Sequence, residues 1–267
     1  MFTAGFIGCG NMGGALAAAA AKSIGGKQVF LSDFIEEKAE SLAEDIFANN
    51  SDNKTIAENC KYIFLGVKPQ VIFDTIKGIA PVLKKRKDRY IVVSMAAGIS
   101  IEAIEKAFGF KIPVIRIMPN TPVAVGKGVI LYSCDDEITV KEREEFEEIF
   151  NKAGLTDKIS ENLIDAASAV SGCGPAFVYL FIEALADGGV LCGLPRDKAL
   201  SYAAETIKGA AEMVIKSGKH PGELKDNVCS PGGTTIEAVS VLEEKGFRGA
   251  VIDAVDKCAK KASDMGK

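Results

Sequence analysis

The chain has 267 residues, 48% of them hydrophobic, a length and composition that build one large or two ordinary globular domains around a substantial core. Its 32 basic and 36 acidic side chains leave a formal charge of -4 with no long run of one sign, which removes nucleic acid and a membrane surface from the expected partners. Seven scattered cysteines without a C-x-x-C pair and a single histidine argue against a metal site and fit a reduced, cytoplasmic protein.

A strand-like stretch follows Met1 almost at once, so no signal peptide is expected. From Thr3 to about Cys134, short β-branched runs alternate with longer helical patterns, as in βαβ units on a parallel sheet. The predicted strands are Thr3–Ile7, Gln28–Ser32, Tyr62–Leu65, Tyr90–Ser94, Val114–Met118 and Gly128–Ser133. The predicted helices between them are Met12–Lys22, Glu36–Ala48, Gln70–Leu83 and Ile101–Phe108, with Lys84–Lys87 read as a solvated helix end. Glu137–Lys152 is a charged amphipathic helix, and Gly154–Ser160 a last edge strand or a linker. After Glu161, helical periodicity broken by turn signals predicts about five helices. Val170–Leu194 is apolar enough to resemble a membrane span, but Glu183, Asp187 and Gly188-Gly189 interrupt it, so it is expected as a buried core helix. The longest helix of this half, starting near Pro175, is apolar nearly all round, and part of it is expected to pack on a second subunit; burial wholly within one chain is the alternative.

Gly8-x-Gly10-x-x-Gly13 follows the first strand and opens an alanine-rich helix. Gly8 permits a tight turn, Gly10 lets a pyrophosphate approach the backbone, and Gly13 lets helix and strand pack closely. The N–H groups and positive dipole of the helix start face the phosphates. With Ile7 before the turn and Asn11 and Met12 at the helix start, this is the candidate cofactor loop; an ordinary glycine-rich turn is the plain alternative. The chain therefore reads as an α/β protein, with a Rossmann-like doubly wound dinucleotide-binding domain over residues 1–160 followed by an all-helical domain over 161–267.

Asp33, twenty residues past Gly13, ends the second strand, where a carboxylate accepts hydrogen bonds from the adenine ribose of NAD and repels the extra phosphate of NADP. No arginine follows to rescue that phosphate, so among NAD(P)H cofactors NADH is favoured. Glu36, three residues on, also makes a capping box with Asp33 as N-cap, and both roles are compatible. Two further loops fall at strand ends: Gly66-Val67-Lys68-Pro69-Gln70 and Met95-Ala96-Ala97-Gly98. Lys68 is a phosphate or substrate contact or else a solvent-facing lysine. In Met118-Pro119-Asn120-Thr121-Pro122, two prolines hold two hydrogen-bonding residues where the nicotinamide belongs, or merely stiffen a loop.

In the second half, Asp226-Asn-Val-Cys-Ser-Pro-Gly-Gly-Thr-Thr235 builds a glycine-rich helix start suited to an anion, or a plain N-cap by Ser230 or Thr234. His220 sits in a His-Pro-Gly turn and is structural. Glu183 and Asp187, four apart on one helix face, suit paired acid work but read better as a buried structural network or interface hydrogen bonds. Cys9, Cys173 and Cys229 lie in or beside these loops, which predicts oxidative sensitivity.

Together, Gly8-x-Gly10-x-x-Gly13, Val67-Lys68-Pro69, Met118–Pro122, Ser171-Gly172-Cys173-Gly174-Pro175, Glu183-Ala-Leu-Ala-Asp187-Gly-Gly and Asp226–Thr235 resemble pyrroline-5-carboxylate reductases, in order and with fitting spacing, from about Gly5 to Val255. The resemblance implies a Rossmann domain and a helical domain that intertwines with its partner in a homodimer, often within larger rings such as a decamer. It implies NAD(P)H-dependent reduction of a small-molecule substrate, 1-pyrroline-5-carboxylate, to L-proline. It places N–H groups around Gly233, Thr234 and Thr235 on the substrate carboxylate. Thr235 is then the candidate catalytic residue, hydrogen-bonded to the ring nitrogen directly or as a proton relay. Glu161 matches an acidic position near substrate, favouring a cationic iminium, or else stabilises the first turn of its own helix. Asn53 and Asn227 complete the candidate cofactor contacts. A protonated cyclic imine is already a strong electrophile, so positioning replaces strong acid catalysis. Family members commonly carry an arginine or small polar residue at the second-strand end, where this chain has Asp33-Phe34.

Two other readings compete. A β-hydroxyacid dehydrogenase would need a lysine on an early helix of the second domain, and Glu161–Leu194 contains none. A non-catalytic dinucleotide sensor would not require the second anion turn.

Overall fold

The computed structural model describes residues 3–265; the last two residues of the predicted second domain lie outside the described residues. Two compact units form: residues up to Cys173 together with the chain end from Cys258, and Gly174–Lys257.

The first unit is an eight-stranded sheet of order β3-β2-β1-β4-β5-β6-β7-β8. β1 (Ala4–Ile7) lies between β2 (Val29–Ser32) and β4 (Tyr62–Leu65), with β3 (Asn49–Asn50) outside β2. β5 (Ile91–Ser94) and β6 (Val114–Pro119) extend the parallel sheet; β7 (Gly128–Cys134) runs antiparallel to β6, and β8 (Gly154–Lys158) closes the edge parallel to β7. The chain builds outward from β1 to β3 and then returns to place β4 on the other side of β1. That reversal opens a crevice at the carboxyl ends of β1 and β4.

Alternation along each strand makes two cores, because successive side chains leave opposite faces of a pleated sheet. Phe6, Phe64, Val93 and Ile117 meet α1 (Asn11–Ile24), α2 (Glu36–Ile46) and α6 (Val140–Ile149) on one face. Ile7, Ile63, Leu65 and Val92 meet α3 (Asn53–Asn59), α4 (Ile72–Leu83) and α5 (Ile101–Phe108) on the other. Phe6 and Phe64 stack with ring centroids 4.4 Å apart, and Phe150 sets its edge on Phe64 at 5.5 Å. Such pairs add about 1 kcal/mol each beyond their burial.

β3 and α3 were not among the predicted elements. β3 is two asparagines long and α3 two turns, too short for periodicity to show. Arg86 also departs from the expected solvated helix end: its Nη1 donates to the carbonyls of Ala57 at 2.8 Å and Cys60 at 2.7 Å, capping the end of α3. Gly154–Ser160 supplies β8, the sheet edge. Residues 161–173, assigned by sequence to the helical half, lie with the sheet. A 3-10 turn (Glu161–Leu163) and α7 (Ile164–Ser171) are tied there by Arg116 of β6.

The second unit holds α8 (Gly174–Leu191), α9 (Arg196–Ser217), α10 (Pro221–Asn227), α11 (Thr234–Glu244) and most of α12 (Phe247–Met265). The longest of them is α9 with 22 residues, not the 18-residue α8 that begins near Pro175. α8 meets α9 through small residues, Ala186 against Ala199 and Ala203. Ala186 is its only buried residue, while Tyr179, Leu180 and Leu191 are exposed. Burial of this helix within one chain is therefore not met, because α9 covers only its alanine stripe. Glu161–Leu191 is also long and apolar enough to cross a membrane, by length and composition alone.

Candidate active site

The glycine loop turns at the carboxyl end of β1. Gly8 has φ +102°, and its N–H donates to the Ser32 carbonyl at 2.7 Å. A Cβ on Gly8 would lie 2.7 Å from the Gly66 backbone, and one on Gly13 would lie 2.1 Å from the Gly8 carbonyl oxygen. Both glycines are required by how closely β1, α1 and the loop after β4 approach. Gly10 differs: its φ of -68° suits any residue and a Cβ there would meet nothing within 4 Å. No contact within the chain calls for glycine at that position, and the backbone there is open to an approaching group. α1 begins at Asn11 and Met12 with no side-chain cap and no acid in its first turn, leaving its dipole available to an anion. A dinucleotide pyrophosphate fits this cradle.

Asp33 braces the loop. Its Oδ2 accepts from the Cys9 N–H at 2.6 Å and its Oδ1 from the Ile35 N–H at 2.9 Å. The N-cap of α2 is Ile35, without a side-chain cap, so the expected Asp33–Glu36 capping box does not form; the carboxylate is drawn across to Cys9 instead. Ser32, Asp33, Glu36, Asp52, Asn53 and Lys54 line an open groove beside it. Ser32 Oγ donates to Asn53 Oδ1 at 2.8 Å, leaving the amide nitrogen of Asn53 for other acceptors. Three carboxylates against one ammonium make this groove negative.

Burial, and then the charge of Asp33, push the Cys9 thiol up to about 12. The thiolate that carries oxidation chemistry is therefore scarce at Cys9. Burial and the neighbouring Cys258 also raise Cys173.

Because β1, β4 and β5 are adjacent, their following loops share one edge. Ile7 is buried and its carbonyl accepts from the Gly66 N–H at 2.8 Å. Val67 is half-buried, Lys68 is exposed, and Pro69 opens a 3-10 turn into α4. Ala96 is buried, Ala97 exposed, and Gly98 takes φ +73°.

Asn120 is engaged by the chain itself. Its Oδ1 accepts from the Val129 N–H at 2.8 Å and its Nδ2 donates to the Ser171 carbonyl at 2.9 Å. Glu161 is likewise held: its Oε1 accepts from the Ile101 N–H at 2.8 Å and from Arg116 Nη1 at 3.2 Å, so it meets the start of α5 while standing as the acid at the start of its own 3-10 turn. Arg116 Nη2 lies 3.0 Å from Asp165 Oδ1. Sequence reasoning passed over Arg116. Its signal was a lone charge inside the apolar run Val114–Met118, which must be buried and therefore paired.

In the second unit, Gly232 takes φ +68° and Gly233 is the N-cap of α11, with no side-chain cap. The alternative cap by Ser230 or Thr234 does not form; a Cβ on Gly233 would come 2.4 Å from Ser230 Oγ. Thr234 and Thr235 are exposed in the first turn, and Asn227 is exposed at the end of α10. His220 Nδ1 accepts from the Gly222 N–H at 3.0 Å, capping α10 as a turn residue. Glu183 and Asp187 are exposed, not a buried network, and Asp187 pairs with Arg196. Among the described residues no group of three or more His, Cys, Asp or Glu is gathered as for a metal ion.

A family model for pyrroline-5-carboxylate reductase dimerisation matches residues 161–265, and one for coenzyme F420-dependent NADP oxidoreductases matches residues 3–98. The chain is 40% identical to the pyrroline-5-carboxylate reductase of Escherichia coli (strain K12), over 98% of each. It is 39% identical to that of Pisum sativum, over 99% of itself and 96% of the relative. The crystal structure of the Plasmodium falciparum pyrroline carboxylate reductase with NADP bound superposes with a TM-score of 0.87 at 34% identity, covering all of this chain and 98% of the other.

Proposed function

The chain belongs to the pyrroline-5-carboxylate reductase family, and on that premise we propose how its residues divide the reduction of 1-pyrroline-5-carboxylate to L-proline. One observation carries the assignment: both glycine-bearing helix starts, α1 and α11, lack side-chain caps. The first suits a pyrophosphate and the second a small carboxylate. The nicotinamide cofactor, when bound, supplies the hydride.

Gly8, Gly10, Asn11, Met12 and Gly13 hold the phosphates; Ile7, Gly66–Pro69 and Ala96–Gly98 line the same edge toward the nicotinamide. Asp33 and Asn53 take the adenine ribose. The negative groove around them disfavours a 2′-phosphate, so this member prefers NADH, although the Plasmodium relative carries NADP.

In the helical half, the N–H groups of Gly233, Thr234 and Thr235 bind the substrate carboxylate, with Asn227 beside the turn. The Thr235 hydroxyl holds or passes one proton at the ring nitrogen. Because the protonated imine is already electrophilic, these groups orient it and exclude water instead of supplying a strong acid. Glu161 contributes as part of its cluster: two carboxylates against one guanidinium leave a negative charge that favours a cationic substrate. The exposed apolar flank of α8 is covered by a second copy in an intertwined cytoplasmic homodimer, from which larger rings such as a decamer are built.

Adding 1-pyrroline-5-carboxylate to the full chain with NADH tests this directly. NADH absorbance falls as proline appears, and a β-hydroxyacid with NAD gives no turnover. A chain that leaves NADH unoxidised overturns the reading.

A further inference from the structure

One side chain of β6 and one just past its end hold the two ends of α7. Arg116, 5% exposed on β6, meets the helix start through Asp165 at 3.0 Å and through Glu161, just ahead of it, at 3.2 Å. Asn120, 7% exposed and four residues further on, donates Nδ2 to the carbonyl of Ser171, the last residue of α7, at 2.9 Å. Four strand residues cover about 13 Å. The helix from Asp165 to Ser171 covers about 9 Å, and the long arginine side chain makes up the difference. The helix therefore lies along the strand and runs in the same direction.

The amide of Asn120 has a fixed orientation, since its Oδ1 takes the Val129 N–H and Nδ2 must then face Ser171. The Ser171 carbonyl is one of the acceptors that a helix end leaves without an internal partner. At the other end, Glu161 Oε1 also takes the Ile101 N–H, which brings the start of α5 and the preceding Ala96–Gly98 loop under the same control. Arg116 of β6 and Asn120 just after it thus reach both that loop and the point where the chain enters Gly172-Cys173-Gly174.

We propose that Asn120 and Arg116 are positioning residues for the reduction, acting through α7 and the Glu161 carboxylate and not by touching the cofactor. The inference rests on the active-site reading above. Loss of either tie loosens α7 and misplaces the groups around the nicotinamide end without weakening the grip on the rest of the dinucleotide.

The test uses the full chain with Asn120→Asp, which keeps an acceptor for Val129 but turns a negative oxygen on the Ser171 carbonyl. A second variant, Asp165→Ala, removes a partly exposed partner and keeps the question answerable if the first does not fold. In Asn120→Asp, kcat falls about tenfold or more, and in Asp165→Ala about threefold, while the NADH Kd from fluorescence titration stays within about twofold. The primary isotope effect with NADH deuterated at C4 rises, as hydride transfer becomes the slow step. Amide exchange over residues 170–173 speeds about tenfold, while exchange in β6 is unchanged. An NADH Kd that rises in step with the loss of kcat would make Asn120 a cofactor contact and overturn the proposal. So would native exchange over 170–173 in both variants, or native kcat. The two readings fail separately: a wild-type chain inert toward 1-pyrroline-5-carboxylate refutes the reaction, while the exchange measurement still decides the ties.

Discussion

Gly10 and Gly13, three residues apart in one motif, respond differently to the same added methyl group. In Gly13→Ala, the new Cβ stands 2.1 Å from the Gly8 carbonyl oxygen, against an ordinary contact of at least 3.4 Å, so backbone must move by more than an ångström. Overpacking of that kind costs about 1–3 kcal/mol. For a unit of this size, that lowers the melting temperature by about 2–4 °C per kcal/mol. In Gly10→Ala the Cβ enters empty space, so stability changes by less than about 1 kcal/mol. The methyl does occupy the approach of the pyrophosphate. Losing one charge-assisted hydrogen bond costs about 1.5–3 kcal/mol. The NADH Kd then rises about 10- to 100-fold, at 1.4 kcal/mol per decade. Thermal melts and NADH fluorescence titrations of both variants check the pair. Gly10→Ala that binds NADH as the wild type does, or melts as low as Gly13→Ala, refutes the reasoning.

Thr235→Ala lowers kcat by about 100-fold, the usual scale for a lost proton-handling group, and leaves the NADH Kd unchanged; equal losses in steady-state rate and titrated affinity would remove its catalytic role. Asp33→Ser shifts the ratio of kcat/KM for NADPH over NADH upward by at least about tenfold, from the charge removed beside the 2′-position, and a wild type that already prefers NADPH contradicts the assignment. Burial alone would raise Glu142, but hydrogen bonds from Arg89 and from the backbone and hydroxyl of Thr139 bring it down from an ordinary 4.5 to about 2. Its folded pKa is depressed, so the stabilisation is complete above pH 4.5 and is lost as pH falls toward 2, amounting to about 3 kcal/mol at most. Denaturant midpoints across that window flatten in Glu142→Gln; a wild-type slope in the variant would locate the acid response elsewhere. Iodoacetamide at neutral pH labels the exposed Cys192 and leaves Cys9 unmodified in the native protein, as read by peptide mass spectrometry.

Much of the sheet unit was legible because its signals are local. Tyr62–Leu65 and Ile101–Phe108 were bounded to the residue, the first a short apolar run and the second a helical pattern, and in the structure Ser100 caps the latter. The Gly8–Gly13 motif predicts its own steric reasons. Asn49–Asn59 was not legible as a strand and helix, although Asp52, which accepts from the Thr55 N–H, was a cap in plain sight. The contacts of Asn120, Glu161 and Arg116 were hidden for a different reason. Their residue types announce hydrogen bonding, but the Arg116–Glu161 and Asn120–Ser171 contacts span 45 and 51 residues, and only the fold shows them. The Asp33 carboxylate, predicted as a cap, went instead to a peptide N–H across the crevice, a choice set by loop geometry and not by spacing.

In the stretch Gly174–Lys257, only three alanines are buried among the described residues. So few buried methyl groups cannot offset the entropy of ordering that many residues. Folding of this half is therefore coupled to assembly with other copies, and its melting point is expected to climb with protein concentration. Two versions of the chain made in one cell would mix, and a defective version would carry its defect into every hybrid it joins.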